Sequence, residues 1–214
     1  MSNNARKRIK WHMGYAAAWM ELLMILLTIG FSLSLYCRAQ GTCRRIPAHG
    51  FDAPTMAAFR GQYTNSIYEY AVTIPKGLVG HSSPPPAPMH GFGILLGPHK
   101  EGYLWVDGSW NALDYISSET AARDIRNYIE KRGAIVSSSK DTPWILDGIP
   151  ATRITIQYKC PNGEGIIVSD AVIALSSNRA KIWLACLDTP LSRYEEDKKI
   201  LEEILKSWRI GEGK

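Results

Sequence analysis

Residues 151–187 decide the fold, and their sequence is ATRITIQYKC, PNGEG, IIVSDAVIAL, SSNRA and KIWLACL. Apolar and polar side chains alternate along the first segment with the period of two that is typical of a β-strand. The segments PNGEG and SSNRA are short enough to be hairpin connections. We therefore predict an antiparallel meander of three strands, at Ala151 to Cys160, Ile166 to Leu175 and Lys181 to Leu187. In the first strand we expect Ile154, Ile156 and Tyr158 to point inward and Arg153, Thr155, Gln157 and Lys159 to point outward.

The same patterns predict strands before this meander. Tyr63 to Ile74 has the length and alternation of a strand pair, and Pro75 and Gly77 end it. Two more strands are expected at Phe92 to Leu96 and at Tyr103 to Val106.

Two helices are predicted from capping signals and apolar stripes. Ser117 or Ser118 caps a helix that runs to Arg132. The buried stripe of this helix is expected to be Ile125, Tyr128 and Ile129. A second helix is expected after Ser192, where Glu195 completes a capping box. Its apolar stripe is Ile200, Leu201, Ile204, Leu205 and Trp208, and Gly211 is expected to end it. Groups of strands separated by helices indicate an α+β domain, in which helices cover an antiparallel sheet.

The first 39 residues have the order of a membrane-targeting segment, with an expected hydrophobic helix. Basic residues precede an apolar stretch from Gly14 to Tyr36 that only Glu21 interrupts. This stretch is long enough to span a bilayer, and its basic flank places the N-terminus inside. The alternatives are signal-peptide cleavage after Ala39, retention of residues 14–36 as an anchor in the cytoplasmic membrane, and lipid modification of Cys37. Each alternative puts the rest of the chain outside the cytoplasm: periplasmic, secreted or anchored.

The domain boundaries and the charge follow from this division. We expect an irregular leader over residues 40–62 and one α+β domain over residues 63–210. The chain has a formal net charge of +5, and residues 1–39 account for +4 of it. The exported part therefore has no basic surplus with which to bind phosphates, and we predict no nucleic-acid partner.

The sequence contains no catalytic or metal-binding motif. His81, His90 and His99 are the candidate metal ligands, but spacings of nine residues across loops do not make them converge. An enzyme, either a hydrolase or a metal-dependent one, would pair a loop histidine with Asp107. That hypothesis requires at least two of these side chains to lie within hydrogen-bond distance in a pocket. The alternative is histidines in solvent-facing loops, and we predict no cofactor.

Cysteines and tryptophans provide the other candidate residues. Cys160 and Cys186 are separated by the middle strand of the meander, about 9–10 Å, which is too far for a disulfide bond. A disulfide from Cys43 to Cys160 or to Cys186 would attach the leader to the sheet in an oxidising compartment. Buried, unreactive thiols are the alternative. Trp110 and Trp144 lie near predicted turns, where they could line an exposed groove for recognition.

Three segments of the sequence resemble those of the PsbP-like family, whose fold is an α/β/α sandwich shared with the Mog-type Ran-binding proteins. YEYAVTIPKG at residues 68–77 resembles the family's opening strand, which ends in Pro-x-Gly. LDGIPATR at 146–153 resembles the glycine-bounded start of its central hairpin. The stretch from RYE at 193–195 to LKSWR at 205–209 resembles its closing helix. The resemblance covers about residues 63–210, and the segment from Met89 to Asp107 departs from the family pattern.

The resemblance implies a class of function and no specific partner. Family members bind proteins or assist membrane complexes and are not known as enzymes, so no catalytic residue is carried over. We therefore predict a non-catalytic, extracytoplasmic module for protein interaction, or one associated with the cell envelope, with a protein as its partner. The alternatives are an enzyme that uses loop histidines and a structural envelope protein with no discrete site.

Overall fold

The computed structural model describes residues 57–82, 90–161 and 165–211. The predicted targeting segment at residues 1–39 and most of the leader lie outside these ranges. In chain order the elements are β1 (Ala58–Phe59), β2 (Gln62–Asn65), β3 (Tyr70–Thr73), β4 (Gly80–His81), β5 (Gly91–Leu96), β6 (Gly102–Trp110), α1 (Ser118–Lys131), β7 (Ile135–Leu146), β8 (Ile149–Lys159), β9 (Ile166–Leu175), β10 (Lys181–Pro190), a 3-10 turn (Leu191–Arg193), α2 (Tyr194–Ser207) and β11 (Arg209–Ile210). Within the described ranges, neither helix is long and apolar enough to cross a membrane.

Two antiparallel sheets form the framework of the described domain. The larger sheet has the spatial order β1-β4-β5-β6-β10-β9-β8-β7, and the smaller one has the order β11-β3-β2. The predicted meander is confirmed, because β8, β9 and β10 are consecutive antiparallel neighbours. The α+β class is confirmed as well. Strand β1 and the first residue of β2, which precede residue 63, also belong to these sheets.

A hydrophobic core lies on each face of the larger sheet. On one face, Ala122 and Ile129 of α1 pack with the inward side chains of β8. On the other face, α2 and the smaller sheet pack with the remaining apolar side chains of β6, β9 and β10. Tyr70 and Trp208 are fully buried there, and their rings stack with centroids 5.2 Å apart. Burial of apolar surface on both faces is the main force that holds the layers together.

Because both faces are covered, the expectation that Arg153 points outward into solvent is wrong. Its side chain lies beneath α2 and is only 8% exposed. The buried carboxylate of Asp170 on β9 accepts two hydrogen bonds from it. When both faces of a sheet are covered, a charged residue at a polar position of the alternation can still be buried, provided that a carboxylate pairs with it.

The helices differ from their sequence-based predictions in three details. Tyr128 of α1 is not buried, since 46% of its surface is exposed, although Ile129 is buried as expected. The capping box predicted at Ser192 does not form, because a 3-10 turn precedes α2 and Arg193 occupies the N-cap without a side-chain hydrogen bond. The closing helix ends at Ser207 and not at Gly211, because residues 209–210 leave the helix and pair with β3.

Strand β7, at Ile135–Leu146, was not predicted. It is an edge strand of the larger sheet in the described chain, and its side chains are mostly exposed. Its sequence is polar and contains Pro143, so it lacks the apolar alternation by which strands are recognised. The strand forms because Asp147 and Gly148, both with positive φ, make a tight turn that returns the chain to pair with β8.

Candidate functional site

A cleft of about 490 Å³ lies at the end of β6, beside α1 and the α1-facing side of the sheet. Its walls are mainly apolar and come from α1, β9 and β10: Ala121, Ile125, Ile173, Ile182 and Leu184. The charged or polar side chains within it include His90, Asp107 and Ser109. An apolar cleft of this size with a few polar groups is the usual form of a ligand-binding or recognition site.

The mouth of the cleft carries large exposed apolar side chains. Trp110 at the end of β6 is 53% exposed, and Leu113 in the following loop is 69% exposed. Asn111 holds this loop in place: its side chain accepts a hydrogen bond from Tyr115 N and donates to the carbonyls of Tyr115 and Arg179. The loop therefore presents Leu113 to solvent from an anchored backbone and not from a loosely held one.

His90 is positioned through its backbone carbonyl. This oxygen accepts hydrogen bonds from the Tyr70 hydroxyl at 2.6 Å, from Asn65 Nδ2 at 3.0 Å and from the backbone N–H of Gly108 at 3.3 Å. The contact with Gly108 continues the pairing of β5 with β6, in which Gly91 lies opposite Asp107. Strand register thus places His90 next to the end of β6.

A chain of polar side chains runs from Tyr68 through His90 to Asp107. The Tyr68 hydroxyl and His90 Nε2 are 2.9 Å apart and share a hydrogen bond. His90 Nδ1 lies 4.0 Å from Asp107 Oδ1, which is beyond hydrogen-bond distance. Nδ1 is buried and has no hydrogen-bond partner among the described residues. Both side chains line the cleft and are partly exposed, 25% for His90 and 32% for Asp107. Because one His90 nitrogen is bonded to Tyr68 and the other is buried, the Asp107 carboxylate is the polar group that a ligand can reach.

Burial sets the ionisation of this site. It raises the pKa of Asp107 to about 7. A hydrogen bond from the backbone N–H of Gly108 lowers this pKa, but its effect is smaller than that of burial. Burial also lowers the pKa of His90, so the imidazole is neutral at neutral pH. The pKa of Tyr68 is raised, first by burial and then by the nearby charge of Asp107. The site therefore combines a neutral histidine with a carboxyl group that titrates near pH 7.

The enzyme hypothesis required two candidate side chains to meet within hydrogen-bond distance in a pocket. The structure brings His90 and Asp107 into one cleft but leaves them 4.0 Å apart. Tyr68 occupies one imidazole nitrogen, and the other nitrogen is buried. A general base needs a nitrogen that the substrate can reach. The arrangement thus supports recognition by Asp107 and the apolar walls better than proton transfer by His90.

The other candidate histidines lie elsewhere. His81 is in β4, where it pairs with Gly93, and His99 is in the turn at the opposite end of the β5–β6 hairpin from His90. No group of three metal-ligating side chains occurs in residues 57–82, 90–161 and 165–211.

Trp110 and Trp144, the predicted recognition residues, do not share a groove. Three strands lie between β6, which carries Trp110, and β7, which carries Trp144. Trp110 lines the cleft. The guanidinium carbon of Arg153 lies over the Trp144 ring, 4.9 Å from the centroid of the ring.

The cysteines occupy distinct environments. Cys160 is disulfide-bonded, and Cys186 is a buried thiol in the core beneath α1, where its Sγ lies 3.6 Å from Ser169 Oγ. Cys43 lies outside the described part of the chain, so the predicted link from Cys43 stays a prediction.

Sequence reasoning missed Tyr68 and Leu113 as members of the site. Tyr68 falls within the predicted strand pair and lies in the turn between β2 and β3, where it is 5% exposed and its hydroxyl reaches His90. Leu113 lies in a turn that has no apolar periodicity. An apolar side chain in a polar turn, next to Asp114 with its positive φ, was the available signal.

Comparisons with known proteins give structural likenesses only. No protein-family model matches the chain. No curated protein matches it either. Among solved structures, the chain is similar to the cyanobacterial PsbP of Synechocystis sp. PCC 6803, with 14% identity, a TM-score of 0.49, and coverage of 74% of this chain and 95% of that one. It is also similar to the Ran-binding protein Mog1p of Saccharomyces cerevisiae, with 10% identity, a TM-score of 0.49, and coverage of 72% and 97%.

A third solved structure, a protein of unknown function from Pseudomonas aeruginosa, shares 15% identity at a TM-score of 0.38, over 63% of this chain and 94% of that one. The comparison of structures thus returns the two kinds of protein whose family the sequence resembles. Likenesses at these identities and scores transfer no partner or activity to this chain.

Proposed function

We propose that this protein is a non-catalytic module that binds a protein partner, outside the cytoplasm, through the apolar surface around the cleft. The observation that carries the proposal is the exposure of Trp110 and Leu113 at the mouth of an apolar cleft. Exposed large apolar side chains that cluster around a concave site are typical of protein-interaction surfaces.

The surface has the composition expected of an interaction site. Ile116, in the same loop, is 69% exposed, and Ile67 is 65% exposed in the turn that also contains Tyr68. The Tyr68 and Trp110 rings pack edge to face, with their centroids 5.7 Å apart, so the tryptophan is held against the buried Tyr68. A rigid aromatic side chain loses little conformational entropy on binding, which favours it as an anchor.

The extracytoplasmic location rests on two supports. The sequence begins with a basic, then apolar, segment that is typical of export. The disulfide at Cys160 is the kind of bond that persists in oxidising compartments. An intact-mass measurement of the mature protein, with and without reductant, tests cleavage after Ala39, lipid modification and the disulfide together.

Site-specific crosslinking tests the interaction surface. A photo-crosslinking amino acid at Ile116 is expected to capture one partner in stoichiometric yield from intact cells. Leu113→Arg should abolish this capture, because it places a charge in the contact without removing a buried side chain.

Ile145→Arg is the matched control, since Ile145 is 70% exposed on edge strand β7 and does not line the cleft. Equal capture by both arginine variants would contradict the proposed surface. Absence of any stoichiometric partner would favour a structural envelope protein instead.

A further inference from the structure

Asp107 is an accessible carboxylate without a cationic partner. Among the residues that the structure describes, no lysine or arginine forms an ion pair with it, and its titratable neighbour is His90, whose Nδ1 lies 4.0 Å from Oδ1. Lys181, on the neighbouring strand, is bound to Glu69 at 2.7 Å instead. A carboxylate at the polar end of an apolar cleft loses part of its hydration, which the backbone N–H of Gly108 offsets only in part, and this loss favours any cation that can reach it.

We propose that the cleft receives a lysine side chain of the protein partner, with its ammonium group on Asp107 and its methylene stem along the apolar walls. This inference rests on the proposed function and names the chemistry that the same surface recognises. The cleft contains a group for each part of the lysine side chain: the Asp107 carboxylate for the ammonium, and the apolar side chains of Ile173, Ile182 and Leu184 for the methylene stem.

Lysine fits the cleft better than other charged groups do. Its four-carbon stem packs on apolar side chains while its compact ammonium forms the ion pair. Arginine favours two parallel bonds to a carboxylate, but Oδ1 of Asp107 is the oxygen turned toward His90. An anionic group would face like charge on Asp107 and would find no cation in the described lining.

The electrostatics of the site support the same occupant. The neutral His90 offers no competing positive charge. Burial alone raises the pKa of Asp107, and an ammonium group beside it would favour the ionised form again.

Small lysine analogues test the cleft on the full-length protein. The probes are N-acetyl-lysine-methylamide, its Nε-acetylated form and the norleucine analogue, followed by ligand-observed NMR. We expect the lysine probe to bind at least about tenfold more tightly than either uncharged analogue. Asp107→Asn should remove this preference, whereas Asp114→Asn, an exposed residue of the adjacent loop, should keep it.

In the probe experiment, three results would overturn the inference: equal affinity for the three probes, a lysine preference that survives Asp107→Asn, or binding of n-hexylamine more than about tenfold tighter than the lysine probe. The last result would assign the cleft to a free amine.

The outcome is separable from that of the proposed function. If Leu113→Arg abolishes partner capture and the lysine probe does not bind, the lysine cleft is wrong and the interaction surface stands. If the lysine probe binds and capture is insensitive to Leu113→Arg, the proposed surface is wrong. The lysine inference falls with it, because the ammonium site then serves no partner at this face.

Discussion

Arg153 and Asp170 form a two-point ion pair inside the domain. Arg153 Nε donates to Oδ1 of Asp170 at 2.8 Å, and its Nη2 donates to Oδ2 at 2.7 Å. The hydroxyl of Tyr194, the first residue of α2, donates to the same carboxylate at 2.8 Å. This network links β8, β9 and α2 around the Asp170 carboxylate, which is fully buried.

Asp170→Ala is expected to destabilise the protein strongly. The substitution leaves the buried Arg153 guanidinium with only the longer contact to Glu202, at 3.6 Å, and loss of a buried partner typically costs about 3–5 kcal/mol. Chemical denaturation measures the loss in the free energy of unfolding. Asp141→Ala, on the exposed edge strand β7, is the control and should change this free energy by no more than about 0.5 kcal/mol. Similar losses in the two variants would show that the buried pair has no special role.

Much of the fold was predictable because its signals are local. The meander follows from alternation within each strand and from short connections between strands. Helix α1 follows from a serine cap: Ser117 Oγ accepts a hydrogen bond from the backbone N–H of Thr120, and Thr120 Oγ1 accepts one from Ser117 N. Such features depend on residues three or four positions apart, and a sequence displays them directly.

The other features depend on contacts between distant residues. Strand β7 forms through pairing with β8, and Arg153 is buried because α2 covers its face of the sheet. The candidate site has the same origin. His90 and Asp107 were both candidates, but their approach depends on the register of β5 against β6 and on the hydrogen bonds to the His90 carbonyl. The sequence around His90 does not show that Asp107, seventeen positions later, lies beside it in the fold.

The two predicted helix caps should differ in energy. Ser117→Ala removes the hydrogen bond to Thr120 N and should lower the free energy of unfolding by about 1 kcal/mol. Ser192→Ala should leave it within about 0.5 kcal/mol, because Ser192 makes no capping bond in the 3-10 turn before α2. Urea denaturation of both variants measures the contrast. Equal effects would mean that Ser192 does cap the helix in solution.

Gly108 is required for close packing beside the cleft. A Cβ atom at this position would lie 2.6 Å from Cε1 of Tyr70 and 2.9 Å from Cβ of Tyr68. Gly108→Ala should therefore displace these rings and cost about 1–3 kcal/mol in unfolding free energy. Thermal denaturation checks the loss, with Ser109→Ala as the neighbouring control that adds no atom. A Gly108→Ala variant as stable as Ser109→Ala would contradict the packing argument.

The raised pKa of Asp107 predicts how stability depends on pH. Its folded pKa of about 7 exceeds the ordinary value of 3.8, so the folded state keeps a proton that the unfolded state releases. The stabilisation is fully present below about pH 4 and is lost as the pH rises to 7, by at most about 1.4 kcal/mol per pH unit. The lowered pKa of His90 gives a slope of opposite sign, and the raised pKa values of Tyr68 and Tyr70 place their titration above this window.

Asp107→Asn isolates the contribution of the carboxyl group, because asparagine cannot ionise and the neighbouring groups are unchanged. The free energy of unfolding of Asp107→Asn minus that of the wild type should therefore increase from pH 4 to pH 7 and become constant above pH 8. Urea denaturation at four pH values across this range measures the difference. Asp114→Asn should follow the wild type, since Asp114 is exposed outside the cleft. Parallel curves for Asp107→Asn and the wild type would show that the Asp107 carboxyl is solvated in the folded protein. The same result would weaken the case for a cation at this position, because a hydrated carboxylate has less need of one.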